Sequence, residues 1–278
     1  MAPMSTDTEI SSAPPCDLRG EDSYPGSKAG AGVWQRIISC MPAHENYFEP
    51  FLGHGIVLRR KKPAPGINVG CDVDAGVIDW WASRPASPNL AVSSASSHMA
   101  SVEAIDGLGD AVRIVNFGVA RVLQIDALQI LTTQHPAMMD PKTLVYLDPP
   151  YLREVRTRLF YDHEFETFEQ HTALLTYANM LPCYMMVSHY DCELYRRYLC
   201  PPKWRHISYN AMTRGGLRRE FLWMNFPEGL PLHDCRWVGE GFRERERIGR
   251  KRERWRKRFQ AMPVAERQVI REALDAVG

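Results

Sequence analysis

The stretch Leu144-Val145-Tyr146-Leu147-Asp148-Pro149-Pro150-Tyr151 decides how this chain is read. Its first four residues are a continuous apolar run, the mark of a strand buried on both faces. The two prolines then fix a rigid, extended backbone. A carboxylate, a carbonyl and an aromatic ring are thereby projected from one strand end, a combination that an ordinary turn does not require. Upstream, the strand-like segments 47–51, 67–71 and 121–126 alternate with the helix-like segments 33–41, 55–62, 75–83 and 127–133. Downstream, Phe165, Phe168, Leu174, Leu175, Ala178 and Leu181 form one helical stripe, followed by a buried strand over 184–188 and a helix over 192–199. Segments 204–210 and 220–226 flank the turn-like Thr213-Arg214-Gly215-Gly216, which predicts a hairpin. This alternation predicts an α/β fold with a mostly parallel sheet and an antiparallel edge.

The chain has 278 residues, a formal net charge of +1, and 45% hydrophobic and 24% charged residues, the profile of a globular protein. No apolar run reaches the length of a membrane span. Residues 1–22 are rich in Ser, Thr, Pro and acids, so a disordered tail without a secretory signal is expected, in a cytoplasmic protein. The seven cysteines are odd in number and widely spaced, which argues against a disulfide framework or a structural metal site. His44-Glu45 and His163-Glu164 lack metalloprotease spacing and read as surface residues. The Ser- and Ala-rich 85–101 reads as a loop or small insertion within 84–120.

The charge is unevenly distributed. Residues 243–258 hold ten Arg or Lys and three Glu, a net of +7, which leaves −6 for the rest. Beyond Pro263, residues Val269, Ile270, Ala273, Leu274 and Val277 trace a short amphipathic helix. The expected organisation is therefore a tail (1–22), a sheet domain (23–240) and a basic helical segment (241–278).

Three further clusters fall at strand ends, where open α/β sheets bind ligands. Tyr24-Pro25-Gly26-Ser27-Lys28 precedes the first helix, and Glu21 stands where a phosphate-binding loop needs glycine. In Glu49-Pro50-Phe51-Leu52-Gly53-His54-Gly55, the two glycines allow close backbone approach to a ligand. Asp72, after the second strand, could accept from ribose hydroxyls, whereas Asp74 and Asp126 could equally be helix caps.

Together these motifs resemble the DNA adenine methylase family, S-adenosylmethionine-dependent N6-adenine methyltransferases common in phages and prophages and associated with restriction–modification. The resemblance covers about residues 23–226. Phe48-Glu49-Pro50-Phe51-Leu52-Gly53-His54-Gly55 is similar to the family's FxEPFxGxG cofactor motif, and Asp148-Pro149-Pro150-Tyr151 to its catalytic DPPY. Tyr24 to Lys28 resembles the N-terminal cofactor motif, with Ser27 replacing a glycine. Region 84–120 is shorter than the target-recognition segment of well-studied members.

The resemblance implies a Rossmann-like methyltransferase fold, S-adenosylmethionine as cofactor, no metal, and double-stranded DNA as partner; the oligomeric state is left open, with a monomer favoured. Catalysis would fall to Asp148, Pro149, Pro150 and Tyr151. Cofactor contacts would come from Tyr24, Pro25, Gly26, Lys28, Glu49, Pro50, Phe51, Gly53, Gly55, Asp72, Asp126 and Asp148. Lys28 and Glu49 would sit near the methionine end and Asp126 near the adenine. Arg153, Arg156, Arg158, Arg214, Arg218, Arg219, Arg250 and Arg254 are the expected phosphate contacts. Glu244, Glu246 and Glu253 could instead pair with the basic run as in a solvated helix. Other readings left open are methylation of cytosine N4, of RNA or of a protein amide, and a non-catalytic DNA-binding relative. Cytosine-C5 chemistry would need a Pro-Cys nucleophile. Pro15-Cys16 and Pro182-Cys183 read instead as a tail and a core cysteine.

Overall fold

The computed structural model describes residues 28–30, 32–91, 112–133, 135–152, 165, 167–213 and 216–277. The tail 1–22, Tyr24, Pro25, Gly26, Arg153, Arg156, Arg158, His163 and Arg214 lie outside the described residues, as does most of 84–120.

Eight strands form one sheet in the order β3-β4-β2-β1-β5-β6-β8-β7. The parallel centre is β4 (Ala120–Gln124), β2 (Asn68–Asp72), β1 (Asn46–Glu49), β5 (Thr143–Leu147) and β6 (Tyr184–Tyr190). The antiparallel hairpin of β7 (Arg205–Thr213) and β8 (Gly216–Met224) closes one edge against β6. The mostly parallel sheet with a terminal hairpin is thus present as read.

Both faces of the sheet are covered, which explains the unbroken apolar runs. Along β5, Val145 and Leu147 join one core while Leu144 and Tyr146 join the other. The first core takes α4 (Ala127–Thr132), α5 (Phe168–Met180) and α6 (Glu193–Tyr198) through Ile130, Leu174 and Tyr195. The second takes α1 (Val33–Ile38), α2 (Ile56–Arg60) and α3 (Ala75–Ala82) through Ile37, Val57 and Trp81. Helices α7 (Phe242–Ala261) and α8 (Val264–Asp275) follow the sheet, and neither contains a buried residue. Among the described residues, no helix is long and apolar enough to cross a membrane.

Two local expectations are corrected, and one strand is added. Region 84–120 contributes β3 (Ile114–Phe117), which pairs antiparallel with β4 as an edge strand. Its half-exposed face lacks the buried run that marks a central strand. Helix α5 starts at Phe168, because Thr167 and Gln170 form a capping box; Phe165 precedes it and Phe168 is exposed. His44 is buried, not on the surface. It stacks on His233 at 3.8 Å between ring centroids, and Ala43 N–H donates to the Pro231 carbonyl at 2.7 Å, so residues 231–233 cover it. Burial and the neighbouring Lys61 charge push its imidazole down to about 2, so it is neutral.

At the start of β6 one side chain imitates backbone. Asn225 accepts from Met185 N–H at 2.8 Å and donates to the Cys183 carbonyl at 3.0 Å. Asn225→Ala leaves both groups unpaired and should cost about 1–3 kcal/mol in urea unfolding. An unchanged midpoint would show that water replaces the amide at no cost.

Candidate active site

The strand order places the site. β2 lies on one side of β1 and β5 on the other, so the chain reverses its progress across the sheet between β1 and β5. A crevice forms outside the carboxyl ends of the strands at such a point. Glu49 ends β1, Asp72 ends β2, and Asp148 follows β5 directly.

Lys28 supplies the cation. Its Nζ lies 2.7 Å from Asp148 Oδ1 and 3.7 Å from Glu220 Oε2, and donates to Tyr151 Oη at 2.9 Å. Lys28 and Glu220 are both buried, and the Asp148 side chain is only 15% exposed. Burial works against the ammonium, but Asp148 and Glu220 outweigh it and hold Lys28 charged beyond the ordinary lysine range. Burial pushes the Asp148 carboxyl up to about 6, against the opposing pull of Lys28. Lys28 thus pairs directly with the Asp148 carboxylate.

The Asp148 loop has its own support. Leu152 N–H donates to His189 Nε2 at 3.0 Å, so the ring proton sits on Nδ1, which donates to the Tyr190 carbonyl at 2.7 Å. His189 stacks on Tyr195 at 3.8 Å between centroids, and the Tyr195 hydroxyl meets His171 Nδ1 at 2.7 Å. The Tyr151 ring packs edge-on to Tyr190 at 4.5 Å. Burial first, then Glu220 and Asp148, keep the Tyr151 hydroxyl protonated.

The glycine loop is pinned from two sides. Gly53 N–H donates to Asp72 Oδ2 at 2.8 Å, and Trp81 Nε1–H donates to the Gly53 carbonyl at 2.9 Å. Gly53 and Gly55 have φ of 49° and 57°, and a Cβ on Gly55 would overlap the Trp81 ring and Leu52. Asp72 Oδ1 also accepts from Asp74 N–H at 3.0 Å, and burial raises its carboxyl above the usual range. Pro50 and Phe51 carry the chain from β1 into this loop, with Phe51 edge-on to Phe165 at 5.2 Å.

Asp74 caps α3 and Asp126 caps α4, through Gly76 N–H and through Leu128 and Gln129 N–H respectively. Asp126 therefore performs the structural role that its spacing allowed. Glu49 accepts from Tyr47 Oη at 2.8 Å beneath the crevice, and Lys61 Nζ lies 4.0 Å from the Tyr47 ring centroid. Burial pushes Glu49 up to about 8 and Lys61 down to about 7.

Among the expected DNA contacts, Arg218 and Arg219 stand exposed on β8 beside the site. Arg250 and Arg254 lie on α7, where Arg250 pairs with Glu246 at 2.7 Å. Glu244 and Glu253 pair with Arg247 and Arg256, so each of the three acids of the run meets an arginine of the same helix. Cys183, just before β6, is buried at the opposite end of that strand from the Asp148 edge, and burial pushes its thiol up to about 12. It has neither the place nor the acidity of a nucleophile. Sequence patterning did not single out Tyr209, Tyr190, His189 or Tyr47. The same holds for the pairing of Glu220 with Lys28. A buried acid in a strand was the one available signal for Glu220.

No family model and no curated protein sequence matches the chain. Among solved structures it overlaps in part with TrmN from Thermus thermophilus, at 14% identity and TM-score 0.40, over 69% of this chain but 47% of that one. It spans just under half of TrmN. An rRNA methylase from Streptococcus thermophilus gives 9% identity and TM-score 0.40, over 70% of this chain and 93% of that one. An O-methyltransferase from Bacillus cereus in complex with SAH gives 12% identity and TM-score 0.39, over 70% and 80% respectively. At such overlap the functional reading rests on the site's own residues.

Glu49 offers a direct test of the electrostatics. Between about pH 4.5 and 8 the folded state holds a proton on Glu49 that the unfolded chain has released, so this group lowers stability as pH rises. Glu49→Gln keeps an acceptor for Tyr47 and removes the titration. Its unfolding free energy should fall less than that of the parent between pH 5 and 8. Identical pH profiles would show that Glu49 titrates normally.

Proposed function

We propose that the chain transfers a methyl group from S-adenosylmethionine to the exocyclic N6 of adenine in duplex DNA. The observation that carries this reading is the Asp148 carboxylate and Tyr151 ring held together at the switch point, beside a glycine loop pinned to Asp72. The donor set fits the cofactor. Asp72 at the end of β2 and Asp148 after β5 bring carboxyl groups to one crevice, suited to ribose hydroxyls and to a cationic sulfonium and ammonium, with Glu49 buried beneath them. When bound, the cofactor supplies an electrophilic methyl group and a neutral thioether leaving group.

Asp72 would hold the ribose hydroxyls, and the Gly53–Gly55 backbone would allow close approach. The target adenine must leave the stack for its N6 to be reached. Tyr151 then receives it, and base–aromatic stacking is worth ~1–3 kcal/mol. The adenine N6 is a weak nucleophile because its lone pair is delocalised into the ring. Asp148 and the Pro149 carbonyl accept its two hydrogens, which turns the lone pair towards the methyl group. This is positioning and charge stabilisation without a covalent enzyme intermediate. The N6 proton released on transfer passes to Asp148, whose carboxyl at about 6 can hold it briefly near neutral pH. Lys28 and Glu220 keep that carboxylate fixed.

Duplex DNA is the partner because the added charge is basic and helical. Even with its three acids paired, α7 presents an excess of arginine and lysine along 20 residues.

Asp148→Ala should abolish methyl transfer to unmethylated plasmid DNA while calorimetry still detects S-adenosylmethionine binding through Asp72 and the Gly53–Gly55 loop. Normal turnover in that variant would refute the assignment. Removing residues 242–278 should weaken DNA affinity and flatten its dependence on salt, by about 0.9 in slope for each phosphate that is no longer neutralised. An unchanged slope would remove α7 from the DNA interface.

A further inference from the structure

The β7–β8 hairpin is longer than its support. The last residue of β6, Tyr190, pairs with Glu220, so residues 216–219 of β8 and 210–213 of β7 extend past the end of β6. They overhang the edge at which Asp148 and Tyr151 lie. The base of this overhang belongs to the site, since Glu220 meets Lys28 and accepts from Tyr209 Oη at 3.3 Å. Leu217 lies three residues further out, about 10 Å at the rise of an antiparallel strand. There it pairs across the hairpin with Met212.

That pair is anomalous. Met212 is 70% exposed and Leu217 61% exposed, next to a turn and away from either core. Strand alternation places Met212, Leu217 and Arg219 on one face and Arg218 on the other, with Glu220. Arg219 is braced by two hydrogen bonds to Ser208 Oγ, at 3.0 and 2.7 Å, and lies over the Phe221 ring. The overhang therefore presents an exposed apolar pair on one face, with Arg219 beside it and Arg218 on the other face.

Proteins that open a duplex use this chemistry: an apolar side chain enters the stack while flanking cations hold phosphates. We infer that Met212 and Leu217 form the wedge that fills the stack when the target adenine leaves it, with Arg218 and Arg219 on the flanking phosphates. The inference rests on the proposed adenine methylation and adds a positioning device to it. The flipped base would travel from the hairpin end to the Tyr151 ring at the hairpin base.

The test uses the full chain, unmethylated plasmid DNA and single-turnover methyl transfer, with duplex affinity measured in parallel. Met212→Ser with Leu217→Ser should slow transfer by about tenfold or more, because the unstacked state is left without its filler, while affinity stays within about twofold. The apolar swap Met212→Leu with Leu217→Met should remain within about twofold of the parent. Arg218→Ala with Arg219→Ala should weaken affinity and reduce its salt slope. The wedge is overturned if the serine pair leaves the rate unchanged, if its defect lies wholly in affinity, or if the apolar swap is as slow. A parent protein that makes no N6-methyladenine would instead remove the underlying reading, and the wedge with it.

Discussion

The contact on which the site depends is the ion pair between Lys28 and Asp148, 2.7 Å apart at the carboxyl edge of the sheet. A buried charge without a partner is costly, and each member makes the other tolerable. Lys28 precedes α1, Asp148 follows β5, and Glu220 is on β8, so one ammonium ties three distant parts of the chain together. The conflict between burial and attraction leaves Asp148 at about 6, a carboxylate near neutral pH that can still take a proton. In the proposed reaction, that balance suits a group that would attract the hydrogens of an amine and then receive one of them.

The sheet was legible because its strands are buried on both faces. Leu144 to Leu147 and the 184–188 run are apolar without interruption, and no helix of useful length fits between their flanking turns. The glycine loop and the Asp-Pro-Pro-Tyr corner were legible because their residue types are constrained by local backbone. The partners of Asp148 were not. Glu220 lies 192 positions from Lys28, and no local period records a contact over that distance. The His189–Tyr195–His171 stack was hidden for the same reason, although His189 fixes the backbone of the Asp-Pro-Pro-Tyr corner. β3 escaped because an edge strand with an exposed face has a weak pattern, and His44 because residues 231–233 cover it from far along the chain.

Charge patterning gave a mixed return. The division into a body of −6 and a segment of +7 predicted a basic helix, and α7 spans that segment. The acids of the run pair with arginines on the same helix, which lowers the charge available to a partner without cancelling it. Arg218 and Arg219 stand nearer the Lys28–Asp148 pair, on the hairpin that carries Glu220. The proposed function divides the labour accordingly: α7 would anchor a duplex and the hairpin would meet the target.

The central claim is that this site modifies adenine at N6 in DNA. The most direct measurement is modification-sensitive sequencing of DNA from cells that lack other adenine methylation and express either this chain or its Asp148→Ala variant. The account predicts N6-methyladenine, concentrated in a defined sequence context, with the parent chain and none with the variant. Unmodified adenine in both, or modification confined to cytosine, would contradict it.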